Sequence, residues 1–250
     1  MIASGVVAVA AHRMRALSTT GAIAGTVVGT MALAAGWNWG FLLGGHFIVA
    51  SGLSKVGERK KAERIGRVVQ KGDRRDAKQV LANGGVYAFA GLAHLLTGTP
   101  AWYAVSIGAL AASAADTWAT EIGTLFGRNP ISIVSGQVVP AGTSGGVSLF
   151  GTLASFGGAL FIASGAALAR WPVPFAAVVL GGLAGSVADS LLGATLQTRR
   201  WCDVCATSTE RSIHSCGNQT RRIGGLRGFD NDAVNAVSSG VGALVTLLLS

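Results

Sequence analysis

Asp116 and Glu121 close an apolar run in the stretch AADTWATEIG (114–123), and Asp189 closes another in GSVADS (185–190). A third run opens at GFDNDAVNAVSS (228–239), which carries Asp230, Asp232 and Asn235. At 100° per helical residue, Ser113, Asp116, Thr117, Thr120 and Glu121 fall within a sector of about 140°. Ser186, Asp189 and Ser190 repeat the spacing of Ser113, Asp116 and Thr117, an S-x-A-D-[ST] pattern that hints at an internal repeat. Hydrogen bonding between membrane helices calls for Ser, Thr or Asn. An ionisable group in a span costs about 2.5–3.5 kcal/mol on insertion scales. Clustered carboxylates also repel one another unless a cation sits between them. The pattern therefore predicts a divalent-metal site. Mg²⁺, which takes one or two carboxylates plus substrate phosphates, is the ion it suits. Asp116, Asp189, Glu121, Asp230 and Asp232 are the candidate ligands. A purely structural polar network and an ion or proton pathway are the competing readings.

Other residues could serve an anionic substrate. The stretch PAGTSGGVSLFGTLAS (140–155) places Thr143, Ser144, Gly145 and Gly146 in a donor-rich turn before an apolar run. Backbone amides there could cradle a phosphate, although an ordinary glycine-rich start to a membrane helix looks the same. No G-x-x-x-x-G-K-[ST] loop and no H-R-D or D-F-G set is present, which excludes the usual nucleotide-binding devices. Lys55, Lys60 and Lys61 stand just past an apolar run, within reach of a phosphate held at the membrane surface. Asn83, in QVLANGG (79–85), is read either as a helix cap or as a polar contact in the site. Ser186 and Asn235 lie on the acidic stripes and are candidate substrate contacts. His46 and His94 have no obvious partners and read as helix-packing residues.

All three cysteines fall in one segment: Cys202-x-x-Cys205, eight residues, then His214-x-Cys216. Four soft ligands at this spacing predict a closed, structural tetrahedral Zn²⁺ site. Free thiols or a redox pair would use the same residues.

The elements that must position these groups follow from hydropathy. Half of the 250 residues are hydrophobic, only 12% are charged, and 37 are glycine. Apolar runs at 16–35, 37–54, 80–97, 101–123, 145–169, 172–196 and 231–250 are each of a length to cross a core of about 30 Å as a helix. Abundant glycine suits closely packed membrane helices. The expectation is an all-α, polytopic bundle of about seven transmembrane helices. A short N-terminal apolar segment (1–11) should be half-buried or re-entrant. Loops 55–79, 124–144 and 197–230 complete a single transmembrane domain.

Lysine and arginine crowd loops 55–79 and 197–230, and Arg13 and Arg15 fall on the same side, which the positive-inside rule makes cytoplasmic. The opposite turns hold Trp37, Trp39, Trp102, Tyr103 and Trp171, expected as an outer aromatic belt. The net charge of +9 reflects this asymmetry and does not argue for nucleic acid. Nothing in the pattern excludes an oligomer.

ADTWATEIG (115–123), GTSGGVS (142–148), VLANG (80–84) and FDNDAVN (229–235) resemble the membrane family that includes plant phytyl-phosphate kinase and the transmembrane protein 19 group. Ser144 stands where Asn is expected, Thr120 where Ser is usual, and Phe229 where Leu or Ile is usual. The resemblance implies a kinase passing a phosphoryl group from a nucleoside triphosphate, with CTP the expected donor, to an isoprenoid (phytyl or prenyl) monophosphate. In that reading the acidic stripes place Asp116 and Asp189 on Mg²⁺, with Glu121 a third ligand or the group orienting the acceptor. The site would face the cytoplasm from a plasma or inner membrane. A related cytidylyltransferase or lipid-alcohol kinase, and a transporter or flippase for a lipid phosphate, are the alternatives.

Overall fold

A computed structural model of the protein describes residues 1–65 and 74–250. Arg67 and Lys71, two of the cations expected in loop 55–79, lie outside the described residues.

Each of the seven apolar runs forms one helix: α2 (Thr19–Ala35), α3 (Trp37–Lys55), α5 (Ala77–Thr97), α6 (Ala101–Phe126), α7 (Leu149–Leu168), α8 (Phe175–Thr195) and α9 (Asn231–Leu248). Two shorter helices, α1 (Ile2–Arg13) and α4 (Glu58–Ile65), join them. Capping side chains set several starts. Ser18 accepts the Gly21 N–H at the head of α2, Ser148 that of Gly151 at α7, and Asp230 that of Ala233 at α9. Asp76 and Gln79 form a reciprocal capping box on α5, satisfying two N–H groups that the first turn leaves without partners. Asn83 therefore lies inside α5 and does not cap it.

Among the described residues, α5, α7 and α8 are the helices long and apolar enough, by length and composition, to cross a membrane. α2 is apolar but shorter, at 17 residues, and α6 shows a different reason for falling short. Every residue from Ser106 to Ala115 is buried, so this stretch meets protein on all sides and has no need of a lipid-compatible exterior. α1 rises only about 18 Å over twelve residues, too little to span. It lies instead on α2, where Ser4 and Thr30 share a 2.7 Å hydrogen bond.

Helices α7, α8 and α9 pack around α6. A Cβ on Gly158 of α7 would stand 2.6 Å from the carbonyl oxygen of Ala114, and one on Gly185 of α8 would overlap the Ala112 side chain. The backbones meet this closely because nothing projects between them.

Two expectations are corrected. The helices carry small antiparallel sheets: β1 (Ile131–Ser132) pairs with β2 (Gly146–Val147), and β3 (Arg199–Cys202) lies between β4 (Thr207–Thr209) and β5 (Arg221–Gly224). The outer aromatic belt is also only partly a belt. Trp37 is exposed, but Trp39 and Trp171 are buried, with ring centroids 4.6 Å apart. Tyr103 packs on both rings, and Tyr87 donates a 2.8 Å hydrogen bond to the Trp39 carbonyl. These rings fill an apolar core rather than marking a lipid interface.

Candidate active site at the acidic end of the helices

At the end of the bundle away from the aromatic core, a cavity of about 630 Å³ opens among the helix termini. The C-terminal halves of α6 and α8 supply Asp116, Glu121, Ser186 and Asp189. The N-terminal parts of α5 and α9 supply Asn83, Asp232 and Asn235, with Asp230 as the α9 cap. The turn before β2 adds Thr143, Ser144, Gly145 and Gly146.

The carboxyl groups of Asp116 and Asp189 lie within hydrogen-bonding reach of one another. Ser238 of α9 donates to Asp189 Oδ2 at 3.1 Å, fixing that carboxylate from a third helix. Two carboxylates in contact repel strongly at low local dielectric. The geometry therefore suits a divalent cation, and the oxygen-only donor set suits a hard one.

Glu121 is placed differently. Its Oε2 meets Lys61 Nζ at 2.5 Å, and its Oε1 accepts from Ser54 at 2.6 Å. Lys61 also donates to the carbonyls of Leu53 and Ser54 at 2.9 and 2.7 Å. With both oxygens engaged, Glu121 ties α6 to the end of α3. Asp230 and Asp232 line the same cavity, Asp230 engaged as the cap of α9.

The turn 142–146 is held against α8. Gly142 and Gly145 have φ of +82° and +78°, the left-handed region that favours glycine. A Cβ on Gly145 would stand 2.6 Å from the Ser190 carbonyl. Among the described residues, the N–H groups of Ser144 and Gly145 find no acceptor. They stand beside the helix that bears Asp189.

The three lysines separate. Lys61 lines the cavity, Lys55 points toward the Met14 carbonyl at 3.4 Å, and Lys60 is exposed and not part of the lining. α4 docks by its inner face, because Arg64 donates to the carbonyls of Thr124, Leu125 and Gly127 at the end of α6. Asn83 accepts from Ser113 at 2.9 Å, and Ser113 contacts His46 at 3.3 Å, so a buried polar chain runs inward from Asn83 in the cavity wall.

Sequence reasoning missed Arg75, Glu210 and Arg211, all in the lining. Arg75 donates to Ser51 and Ser54 at 2.9 and 3.2 Å. Glu210 accepts from Ser144 and from Gln197, both at 2.7 Å. Nothing in the local sequence separates these residues from other charged loop positions; hairpin folding brings the last two inward.

Cys202, Cys205, His214 and Cys216 also converge, with one ligand atom from each within 4.8 Å of the others. All three thiols are free. Hydrogen bonds from Asn218 and from His214 lower the Cys216 thiol to about 6.

Helices packed through glycine around a polar cavity define a helical integral membrane protein. The chain belongs to the integral membrane protein DUF92 family, whose model matches residues 2–243. This is the family its motifs resemble. Protein PGR of Arabidopsis thaliana is 33% identical over 279 residues, covering 100% of this chain and 94% of that protein. An uncharacterized membrane protein of Methanocaldococcus jannaschii is 32% identical, covering 78% of this chain and 80% of the relative. Protein VTE6, chloroplastic, of Arabidopsis thaliana is 28% identical, covering 93% of this chain and 65% of VTE6. No solved structure matches. With relatives in an archaeon and in a plant, membership fixes a membrane protein and not a particular membrane.

Proposed function

We propose that the protein is a membrane-embedded kinase that transfers the terminal phosphoryl group of a nucleoside triphosphate, CTP foremost, to an isoprenoid monophosphate, giving the diphosphate. The observation that carries this reading is the Asp116–Asp189 pair at the wall of a cavity that also holds the acceptor-free amides of Ser144 and Gly145. The likeness to VTE6, within a family whose motifs resemble phytyl-phosphate kinase, supports it.

The site fits the reactants. A prenyl phosphate keeps its chain in lipid and its phosphate at the surface, where the helix termini lie. Seven spanning helices, with the cavity facing the cytoplasm of a plasma or inner membrane, would let a soluble nucleotide enter from the charged side. Mg²⁺ on Asp116 and Asp189 would neutralise phosphate charge, the main demand of phosphoryl transfer.

Everything else falls to the chain's own groups. Ser238 orients Asp189. The Ser144 and Gly145 amides bind phosphate oxygens, and Arg75 and Arg211 add positive charge. Thr143, Gly146, Ser186, Asn83 and Asn235 complete the wall that excludes water. Glu121 acts as a positioning residue through Lys61 and Ser54. A phosphate monoester has a second pKa of about 6 and is already nucleophilic at neutral pH. Its oxygen attacks the terminal phosphorus of the donor, that P–O bond forms, the bond to the bridging oxygen breaks, and the nucleoside diphosphate leaves. No strong general base is needed.

The test uses purified full-length protein in detergent with Mg²⁺, each terminally labelled nucleotide in turn, and a panel of prenyl monophosphates. Label should pass to a prenyl diphosphate, best with CTP. Movement of prenyl phosphate between leaflets of proteoliposomes with no nucleotide consumed would overturn the kinase in favour of a flippase.

A further inference from the structure

The Cys/His cluster sits at one end of the β3–β4 hairpin, and the cavity sits at the other. Gln197 leaves the cavity wall just before β3. The chain runs out to Cys202 and Cys205, returns along β4, and re-enters the wall at Glu210 and Arg211. β3 and β4 pair in register from Cys202–Thr207 to Arg200–Thr209, so the two ends are joined by a continuous ladder. His214 and Cys216 follow in a tight turn, with the Gly217 N–H donating to the His214 carbonyl at 2.9 Å.

The cluster has the form of a tetrahedral site. Cys202 Sγ and Cys216 Sγ are 3.7 Å apart. Tetrahedral zinc with bonds of about 2.3 Å sets its sulfurs about 3.8 Å apart. His214 is buried, its Nδ1 lies 3.2 Å from Cys216 Sγ, and its Nε2 has no partner among the described residues. A metal held here closes the loop from Cys205 to His214, and Glu210 and Arg211 are inside that loop.

Glu210 is the link inward. Its Oε1 receives both Ser144 of the glycine turn and Gln197 at the foot of β3. Whatever fixes Glu210 therefore also fixes the turn that lines the cavity.

We propose that Cys202, Cys205, His214 and Cys216 bind a structural Zn²⁺ that clamps the β4 loop, so that Glu210 holds the Gly142–Gly146 turn in its anion-binding shape. The clamp holds whatever substrate the cavity takes. The ion has four protein ligands and activates no water.

The experiment reads zinc content and amide hydrogen exchange over residues 141–146 in the purified full-length protein, without nucleotide or lipid. Wild type should carry about one zinc per chain. Cys205→Ser should lose the zinc, and the 141–146 amides should exchange at least about tenfold faster, as expected for a locally opened segment. Glu210→Gln should keep the zinc and show the same faster exchange, which separates the clamp from a general failure to fold. A metal-free wild type with three readily alkylated thiols overturns the proposal. So does a Glu210→Gln variant with zinc bound and exchange over 141–146 unchanged.

Discussion

The helices that meet in a dry aromatic core at one end part around a polar cavity at the other. Near the heads of α3 and α6, Trp39, Tyr103 and Trp171 pack ring against ring, with the Tyr87 hydroxyl satisfied by a backbone carbonyl. At the opposite ends, the same α6 and its neighbour α8 bring Asp116 and Asp189 together, with the Ser238 hydroxyl donating to Asp189. Stability alone accounts for the first arrangement. It does not account for the second, because aromatic or aliphatic groups could fill that volume without charge repulsion, and carboxylates in a helical span are costly. Within the acidic end a second contrast appears: Glu121 has its own lysine, whereas the two aspartates have each other.

If that contrast marks chemistry against architecture, substitutions at the two ends should separate activity from stability. The largest effect is expected at the acidic pair. Asp116→Asn and Asp189→Asn keep size and hydrogen-bonding capacity, so each variant should fold and insert while phosphoryl transfer falls by at least about 10²-fold, the scale of losing one transition-state electrostatic contact. Excess Mg²⁺ should rescue only part of the rate. Trp39→Ala should do the reverse. Truncating a buried aromatic costs about 3–5 kcal/mol, to be seen as a lower unfolding temperature in detergent, with turnover per folded molecule unchanged. A strong activity loss at Trp39, or parental turnover in both aspartate variants, would break the comparison.

The Lys61–Glu121 pair sharpens it. The two side chains are 9% and 20% exposed, and leaving one member of a buried pair alone costs about 3–5 kcal/mol. Lys61→Met should therefore lower thermal stability more than the double variant Lys61→Met/Glu121→Gln, which a thermal shift series would reveal. If Glu121 were instead a metal ligand, the double variant would recover no stability and would lose activity as completely as Asp116→Asn. Smaller still, Ser144→Ala removes the hydroxyl donated to Glu210 but keeps the turn's amides, so it should raise KM for the nucleotide a few-fold and leave kcat near parental. Lys60→Gln, on the exposed face of α4, should change neither constant.

The sequence made the helices and the acidic stripes legible, because both depend on periodicity within one segment. All seven apolar runs form helices, and the residues of the Asp116 and Asp189 stripes, Ser113 apart, line one cavity. What depends on docking was not legible. Lys60 and Lys61 are equivalent in a basic run, and only the seating of α4 by Arg64 on the α6 terminus turns Lys61 inward. Trp39 and Trp171 look like interface residues until three helices enclose them. The strands at 199–224 are too short for alternation to show, so the inward turn of Glu210 had no local signal. One miss was readable: Asp76-x-x-Gln79 is a capping pattern, and it places the α5 start ahead of Asn83.

The central claim is that Asp116 and Asp189 hold the divalent ion that accompanies the nucleotide. It can be tested without turnover. Mn²⁺ favours the same oxygen ligands as Mg²⁺, and its binding to purified protein can be followed by electron paramagnetic resonance with CTP present. The parent should immobilise Mn²⁺ in a nucleotide-dependent manner. Asp116→Asn and Asp189→Asn should each abolish that signal, and Glu121→Gln should retain it. Unchanged Mn²⁺ binding in both aspartate variants would contradict the assignment.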